Sequence, residues 1–374
     1  MPGRILQFGT SRFLQAHADL FVHEARQAGQ DAGPITVVQT TAAAERAGRV
    51  AAFGRAEGFP VLLRGLENGA PVERKVQVTS VDQGLAVAQD WPALCRLFEH
   101  EVQAAISNTG EAGYKLAEGD EDAIRRGAIP ASFPAKLLLL LLARWRAAAA
   151  PLTIYPCELV SRNGEVLRDL VLNLATQAGL PAGFVEWLRS RIIWAVTLVD
   201  RIVSAPIEPI GAVAEPYALW AIERQPGLVP PCEHPDILMV DDLEPYARQK
   251  LHILNLGHTV LAQCWIAERR RPDETVREIL QDPAPRGLLE RIYREEVIPG
   301  FAQHGLAEQA QHYVAVTLER FANPFLDHRL ADIAQNHALK IRLRIQGFLD
   351  WAPSAAPRPL LTALAHAAET ETTI

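Results

Sequence analysis

Three polar side chains interrupt the leucine-rich stretch "KLHILNLGHT": Lys250, Asn255 and His258. The apolar residues between them, Leu251, Ile253, Leu254 and Leu256, are dense enough to bury most of a helix, so the polar groups must find partners or face a cavity. At about 100° per residue the three fall within an arc of roughly 140°, while His252 points away. An ammonium, a carboxamide and an imidazole on one face suit the interconversion of a ketone and an alcohol. Hydride transfer to the ketone makes a negative oxygen that donors must stabilise and an acid must protonate. A lysine serves as that acid when burial and a nearby cation lower its pKa from about 10.4 toward neutrality. The plainer readings are a solvated lysine and a satisfied core histidine. A metal pair of His252 and His258 is not expected, because six residues of separation turn them apart on a helix and no adjacent carboxylate helps.

Such residues need a scaffold and a cofactor. "RILQF" is a short apolar run ending at Gly9, followed by residues with helical spacing from Phe13 to Ala25, and "ITVVQTT" reads as a second buried strand. Strand, glycine turn, helix and strand open a doubly wound α/β sheet of Rossmann type. Gly9-Thr10-Ser11-Arg12-Phe13-Leu14 stands where such a fold places its glycine-rich turn, with one glycine of the usual set. Backbone N–H groups and the hydroxyls of Thr10 and Ser11 there could hold a pyrophosphate. The second strand ends Gln39-Thr40-Thr41, with no acid for a ribose hydroxyl, and Arg46 and Arg49 follow, so the choice between NAD and NADP stays open. "VQAAISNTGEAG", "LTIYPCEL" and "RIIWAVTLVDRI" are further apolar strands that end in polar loops. Glu67-Asn68-Gly69-Ala70 predicts a hairpin turn, in an insertion on the sheet. From Asp241 onward helical periodicity dominates, with predicted breaks at Pro283, Pro299-Gly300 and Asn323-Pro324, and a tail after Trp351 expected to fray. The expected division is a dinucleotide-binding domain over 1–241 and a mostly α-helical catalytic and substrate domain over 242–374.

Composition removes other classes. A chain of 374 residues with 49% hydrophobic content has room for two cores. A net charge of −7 and no basic block argue against nucleic acid as partner. Leu137 to Leu142 make a run far shorter than the roughly 20 residues a bilayer span needs, bounded by Lys136 and Arg144, so it reads as a buried helix and no membrane partner is expected. Four cysteines stand singly and the N-terminus lacks signal-peptide features, which fits a reducing cytoplasm. Nothing in the sequence specifies an oligomeric state.

The stretches "ILQFGTSRF", "SNTGEAG", "SFPAKL", "PCELVSRNG", "LVDRIV", "ILMVDDLEPYARQKLHILNLGHT" and "RFANPFLDHRLADIAQNHALKIRLRI" together resemble the long-chain polyol dehydrogenase and reductase (mannitol dehydrogenase) family, and within it the uronate reductases. The family's KxxxxNxxH motif is matched by Lys250, Asn255 and His258. The resemblance implies a metal-independent, NAD-dependent oxidoreductase with a lysine acid/base, acting on a ketohexuronate such as tagaturonate or fructuronate and its aldonate. It implies cofactor contacts at Asn108, Thr109 and Asp200 beside Gly9, Thr10, Ser11, Phe13 and Thr40. It also implies substrate contacts at Lys340 and at Arg201, the candidate cation beside Lys250, with Asn255 the main donor to the reacting oxygen and Asn163 the alternative to it. Ser11 departs from the usual second glycine, and Leu159 stands where the polyol branch has an asparagine, which favours the uronate branch. A polyol 2-dehydrogenase of the same fold is the alternative within chemistry. A non-catalytic dinucleotide sensor is the alternative outside it, disfavoured by the intact lysine.

Overall fold

Runs such as "RILQF" and "ITVVQ" show no alternation because both faces of their strands are covered, the condition under which parallel sheets form. The computed structural model describes residues 3–41, 47–148, 150–353 and 357–371, and it contains β1 (Arg4–Phe8), β2 (Ile35–Gln39), β3 (Phe59–Glu67), β4 (Ala70–Val78), β5 (Val81–Ala86), β6 (Val102–Ser107), β7 (Thr153–Pro156) and β8 (Ile193–Trp194). Six of these make a parallel sheet in the order β5-β2-β1-β6-β7-β8. The order reverses at β1, whose neighbours are β2 and β6, so the carboxyl ends of β1 and β6 form the switch point where such sheets bind ligands.

The chain divides into two compact units, Met1–Leu63 with Arg74–Leu243, and Arg64–Glu73 with Glu244–Ile374. In the first unit one apolar core gathers Leu20, Phe21 and Val22 of the helix Ala18–Gln27 with Ile35, Val37 and Trp220. The other gathers the helices Val87–His100, Phe133–Arg146 and Asn163–Gln177. The leucine run is a buried helix as expected, with Leu137, Leu138, Leu140 and Leu141 fully covered. Among the described residues no helix is long and apolar enough to cross a membrane.

Two expectations change. The predicted hairpin forms, with Asn68 and Gly69 both at positive φ, 53° and 76°, as a two-residue turn requires. Its strands, however, join β10 (Val203–Pro206) and β11 (Ala212–Ala214) in a separate sheet ordered β10-β11-β3-β4, and its tip clusters with the second unit. There Glu319 accepts from the Gly69 N–H at 2.9 Å, and the Asn323 amide donates to the Arg64 carbonyl at 3.2 Å. "RIIWAVTLVDRI" is not one strand. It supplies β8 and then β9 (Thr197–Asp200), which lies in a three-stranded sheet beside β12 (Leu219–Glu223) and β13 (Ile237–Val240).

The second unit is helical. Pro283 begins the helix Pro283–Ile292, where its missing N–H costs nothing. Pro299 does not end the helical path, because it follows directly on a widened turn, Tyr293–Val297, where the regular ladder is already interrupted. The tail beyond Trp351 contains the helix Pro359–Glu371, whose Leu360 and Leu361 N–H groups donate to Glu296 at 2.8 and 2.9 Å. A buried carboxylate thus caps the start of this helix.

His17 tests the packing of the first unit. Its ring lies against Phe13, Phe21 and Trp220, its Nε2 is 3.0 Å from the Leu219 carbonyl, and full burial pushes its pKa down to about 3. An unfolded histidine binds a proton near pH 6.5 while the folded one stays neutral, so this contribution to stability is complete above about 6.5 and lost as pH falls toward 3. Thermal unfolding followed from pH 7.5 to 5 is expected to show a steeper fall in Tm for the native chain than for His17→Gln; parallel curves would refute it.

Candidate functional site

The segment carrying Lys250, Asn255 and His258 is not a plain α-helix. Glu244–Gln249 is α-helical, Lys250–Asn255 is a π-helical turn, and Leu256–Ala267 resumes the α-helix. The Leu256 N–H reaches back five residues to the Leu251 carbonyl. In an α-helix Lys250 and Asn255 would stand roughly 140° apart; a turn closed at i→i+5 narrows that angle and draws both toward one side. Lys250 and Asn255 are half-buried and His258 is buried.

The widened turn is held from outside its own helix. The Tyr293 hydroxyl donates to the Ile253 carbonyl at 2.8 Å, and both residues are buried. The Asn255 carbonyl accepts from the Thr259 hydroxyl at 3.0 Å and from Arg344 Nη1 at 3.3 Å. His252 points away as expected: its Nδ1 is 3.1 Å from the Arg344 carbonyl, and its ring stacks on Trp351. Burial lowers its pKa to about 4, so it is a neutral packing residue. Tyr293 and Arg344 belong to two further π-turns, Tyr293–Val297 and Arg342–Gln346. The Lys250–Asn255 turn is therefore bonded through side chains to each of the other two, and such turns are frequent at functional positions.

Gly257 is needed here for space. A Cβ on it would lie 2.0 Å from the Tyr293 hydroxyl, so the residue beside the motif must be glycine for the tyrosine to reach Ile253. The His258 ring packs on Phe321 with centroids 4.4 Å apart and meets His328 edge-on at 4.9 Å. Burial lowers the pKa of His328, and the Lys340 cation acts in the same direction. Lys340 donates to the Ile333 carbonyl at 2.7 Å, which fixes its ammonium. Burial and then Arg344 lower the pKa of Lys340. Among the described residues no cluster of three His, Cys, Asp or Glu could hold a metal.

In the first unit the switch point opens into a cleft of about 270 Å³ lined by Gly9, Thr10, Ser11, Arg12, Gln39, Thr40, Thr41, Arg49, Asn108 and Thr109. A larger one of about 600 Å³, with Val87, Ile129, Phe133 and Lys136, shares Thr40, Thr41 and Thr109. Six expected cofactor residues, Gly9, Thr10, Ser11, Thr40, Asn108 and Thr109, thus stand together. Gly9 has φ +111°, and a Cβ there would meet the Asn108 carbonyl oxygen at 2.4 Å, which ties the turn after β1 to the end of β6. The Ser11 hydroxyl accepts from Leu14 N–H at 3.2 Å as a helix cap. Arg46 lies outside the described residues.

Other expected positions are used differently. Asn163 is buried, donates to the Pro156, Glu158 and Thr197 carbonyls at 3.0, 3.2 and 3.0 Å, and accepts from the Gly164 and Thr197 N–H groups. Its carboxamide is spent on joining β7, β9 and the helix Asn163–Gln177. The Arg201 guanidinium donates to the Tyr217, Ala16 and Pro216 carbonyls and lies over Phe21. Phe13 stacks on His17 and Asp200 ends β9 opposite Leu219, so neither lines the clefts.

Sequence reasoning passed over Glu158, two residues beyond β7, and Tyr293. Glu158 stands in the quoted "PCEL" as a lone acid closing an apolar strand, which was a usable signal; Tyr293 acts across forty residues and left none. Removing the Tyr293 hydroxyl leaves the buried Ile253 carbonyl without that donor. Tyr293→Phe is therefore expected to lower stability by about 1–3 kcal/mol in urea unfolding, and Gly257→Ala by more. Unchanged midpoints in both variants would remove the tyrosine bond as a determinant of the turn. Asn163→Ala is expected to cost roughly 3 kcal/mol, since it strands several buried groups at once; a loss within the scatter of surface substitutions would contradict the clamp.

Residues 3–229 match the mannitol dehydrogenase Rossmann domain and residues 242–357 the mannitol dehydrogenase C-terminal domain. The chain is 32% identical to an altronate oxidoreductase of Klebsiella pneumoniae, over 92% of this chain and 74% of that protein. It is 31% identical to one from Halalkalibacterium halodurans, over 98% of this chain and 74% of the relative. A substrate-free D-sorbitol dehydrogenase shares the fold with a TM-score of 0.80 at 20% identity, over 93% of this chain and 75% of that one. A Pseudomonas fluorescens mannitol 2-dehydrogenase, solved as a ternary complex with NAD and D-mannitol, does so with a TM-score of 0.74 at 18% identity, over 98% and 79%. The two family models together cover most of both units, and the chain belongs to the mannitol dehydrogenase family.

Proposed function

We propose that this chain is an NAD(H)-dependent oxidoreductase that interconverts a ketohexuronate with its aldonate, with Lys250 as acid and base. The observation that carries the reading is the π-turn that draws Lys250 and Asn255 toward one side, with His258 on the following turn. Relatives named altronate oxidoreductase support the sugar-acid substrate class.

The first unit's cleft suits a dinucleotide. Its lining offers hydroxyls at Thr10, Ser11, Thr40, Thr41 and Thr109 and the Arg49 cation, with no carboxylate among them. NAD is the cofactor in the Pseudomonas fluorescens complex. Bound, the nicotinamide accepts or supplies the hydride. Lys250 Nζ donates a proton to the carbonyl oxygen in reduction and takes it back in oxidation. The Asn255 amide and a His258 ring N–H donate to the same oxygen as charge grows on it, which lowers the barrier more than it strengthens ground-state binding. Lys340, fixed by the Ile333 carbonyl, offers a cation for the sugar carboxylate. A cytoplasmic setting keeps the four free cysteines reduced.

Oxidation of NADH and NADPH against a panel of ketohexuronates and neutral ketohexoses tests the reading. Turnover with a uronate is expected; turnover with neutral ketoses alone would move the chain to the polyol branch, and silence with intact cofactor binding would favour the sensor. Lys250→Ala is expected to lose about 10²–10⁴-fold in kcat with NADH affinity retained. Undiminished turnover in that variant would dismiss Lys250 as the acid.

A further inference from the structure

Glu158 takes no part in the chemistry above, yet it is buried two residues beyond β7, bonded to Thr109 in the wall of the first unit's cleft. Its Oε1 accepts from both the Thr109 N–H, at 2.9 Å, and the Thr109 hydroxyl, at 3.0 Å. Its Oε2 accepts from the Ser107 hydroxyl at 2.9 Å and the Tyr114 hydroxyl at 3.2 Å. Among the described residues it has no ion-pair partner, so four neutral donors hold it. Burying a carboxylate without a cation is costly, and packing alone would be served as well by a neutral side chain. The neighbouring glycine fits the same purpose: a Cβ on Gly113 would lie 2.1 Å from the Thr109 hydroxyl oxygen, so that hydroxyl has been given room.

Both protons that Thr109 can offer are committed to one carboxylate oxygen. Thr109 lines both clefts, and its hydroxyl oxygen retains only acceptor capacity. A phosphate, which has no proton to give at neutral pH, is disfavoured at that point, whereas a ribose hydroxyl or a carboxamide N–H is matched. We propose that Glu158 is a positioning residue that orients Thr109 as a hydrogen-bond acceptor for a donor group of the bound dinucleotide. This rests on reading the cleft as the dinucleotide site.

The test is NADH affinity by fluorescence titration, with steady-state kinetics on the full chain. Glu158→Ala is expected to weaken NADH binding and raise its KM about tenfold, with kcat at saturating NADH within about threefold of the native chain. Glu158→Gln should recover most of the affinity, because its amide oxygen still accepts both Thr109 protons while its NH2 group donates to Ser107 and Tyr114. Thr109→Val, which removes the acceptor while leaving the buried carboxyl three of its four donors, should match Glu158→Ala, and the double variant should be no weaker than either single one. Should Glu158→Ala fail to fold, Thr109→Val alone decides. Native affinity in Thr109→Val, or additive losses in the double variant, would overturn the inference while leaving the dinucleotide reading standing. Absence of NADH binding by the native chain would overturn both.

Discussion

The second unit depends on one departure from regular helix geometry, the π-turn over Lys250–Asn255. Such a turn is rare because it loosens packing along the axis and displaces carbonyls from the regular ladder. It persists here because donors from elsewhere meet those carbonyls: the Tyr293 hydroxyl on Ile253, and Thr259 with Arg344 on Asn255. The bonding is reciprocal, since the Arg344 carbonyl is itself held by His252. A widened turn in one helix is thus stabilised by widened turns in two others, and the polar residues it carries acquire positions that no single helix would enforce.

The first unit solves a different problem, the close approach of two strand ends. Parallel strands leave their carboxyl-terminal loops together, and the reversal of strand order at β1 opens a crevice between the loops after β1 and β6. Gly9 lets these loops touch, Asn108 donates to the Cys157 carbonyl at 2.7 Å, and Glu158 grips Thr109. The wall of the cleft is therefore fixed by buried hydrogen bonds before any ligand arrives, which reduces the ordering cost of binding.

Three arginines share one pattern. Arg201 and Arg144 spend their guanidinium groups on main-chain carbonyls and lie over aromatic rings, Phe21 and Phe98. Arg12 likewise binds the Ile207 and Gly211 carbonyls at 2.8 and 3.0 Å. The planar fork that makes arginine a good ligand for anions also makes it a good clamp for loops. Residue type alone does not separate these uses, and Arg201 shows how a motif position can be structural.

Much was legible in the residues themselves. Periodicity, glycine and proline placement and the Asn-Gly turn sufficed for a Rossmann-like sheet followed by helices, because those signals are local and act through backbone preference. The spacing of Lys250, Asn255 and His258 marked the candidate site for the same reason, as did the polar ends of the apolar strands. What the tertiary structure alone decided is how polar side chains spend their hydrogen bonds. Asn163 and Arg201 became clamps, Glu158 became the partner of Thr109, and Lys250 and Asn255 were drawn together by a turn that Tyr293 supports across forty residues. Hydrogen-bond satisfaction in a buried site depends on groups distant in the chain, and no local pattern encodes which of them will arrive.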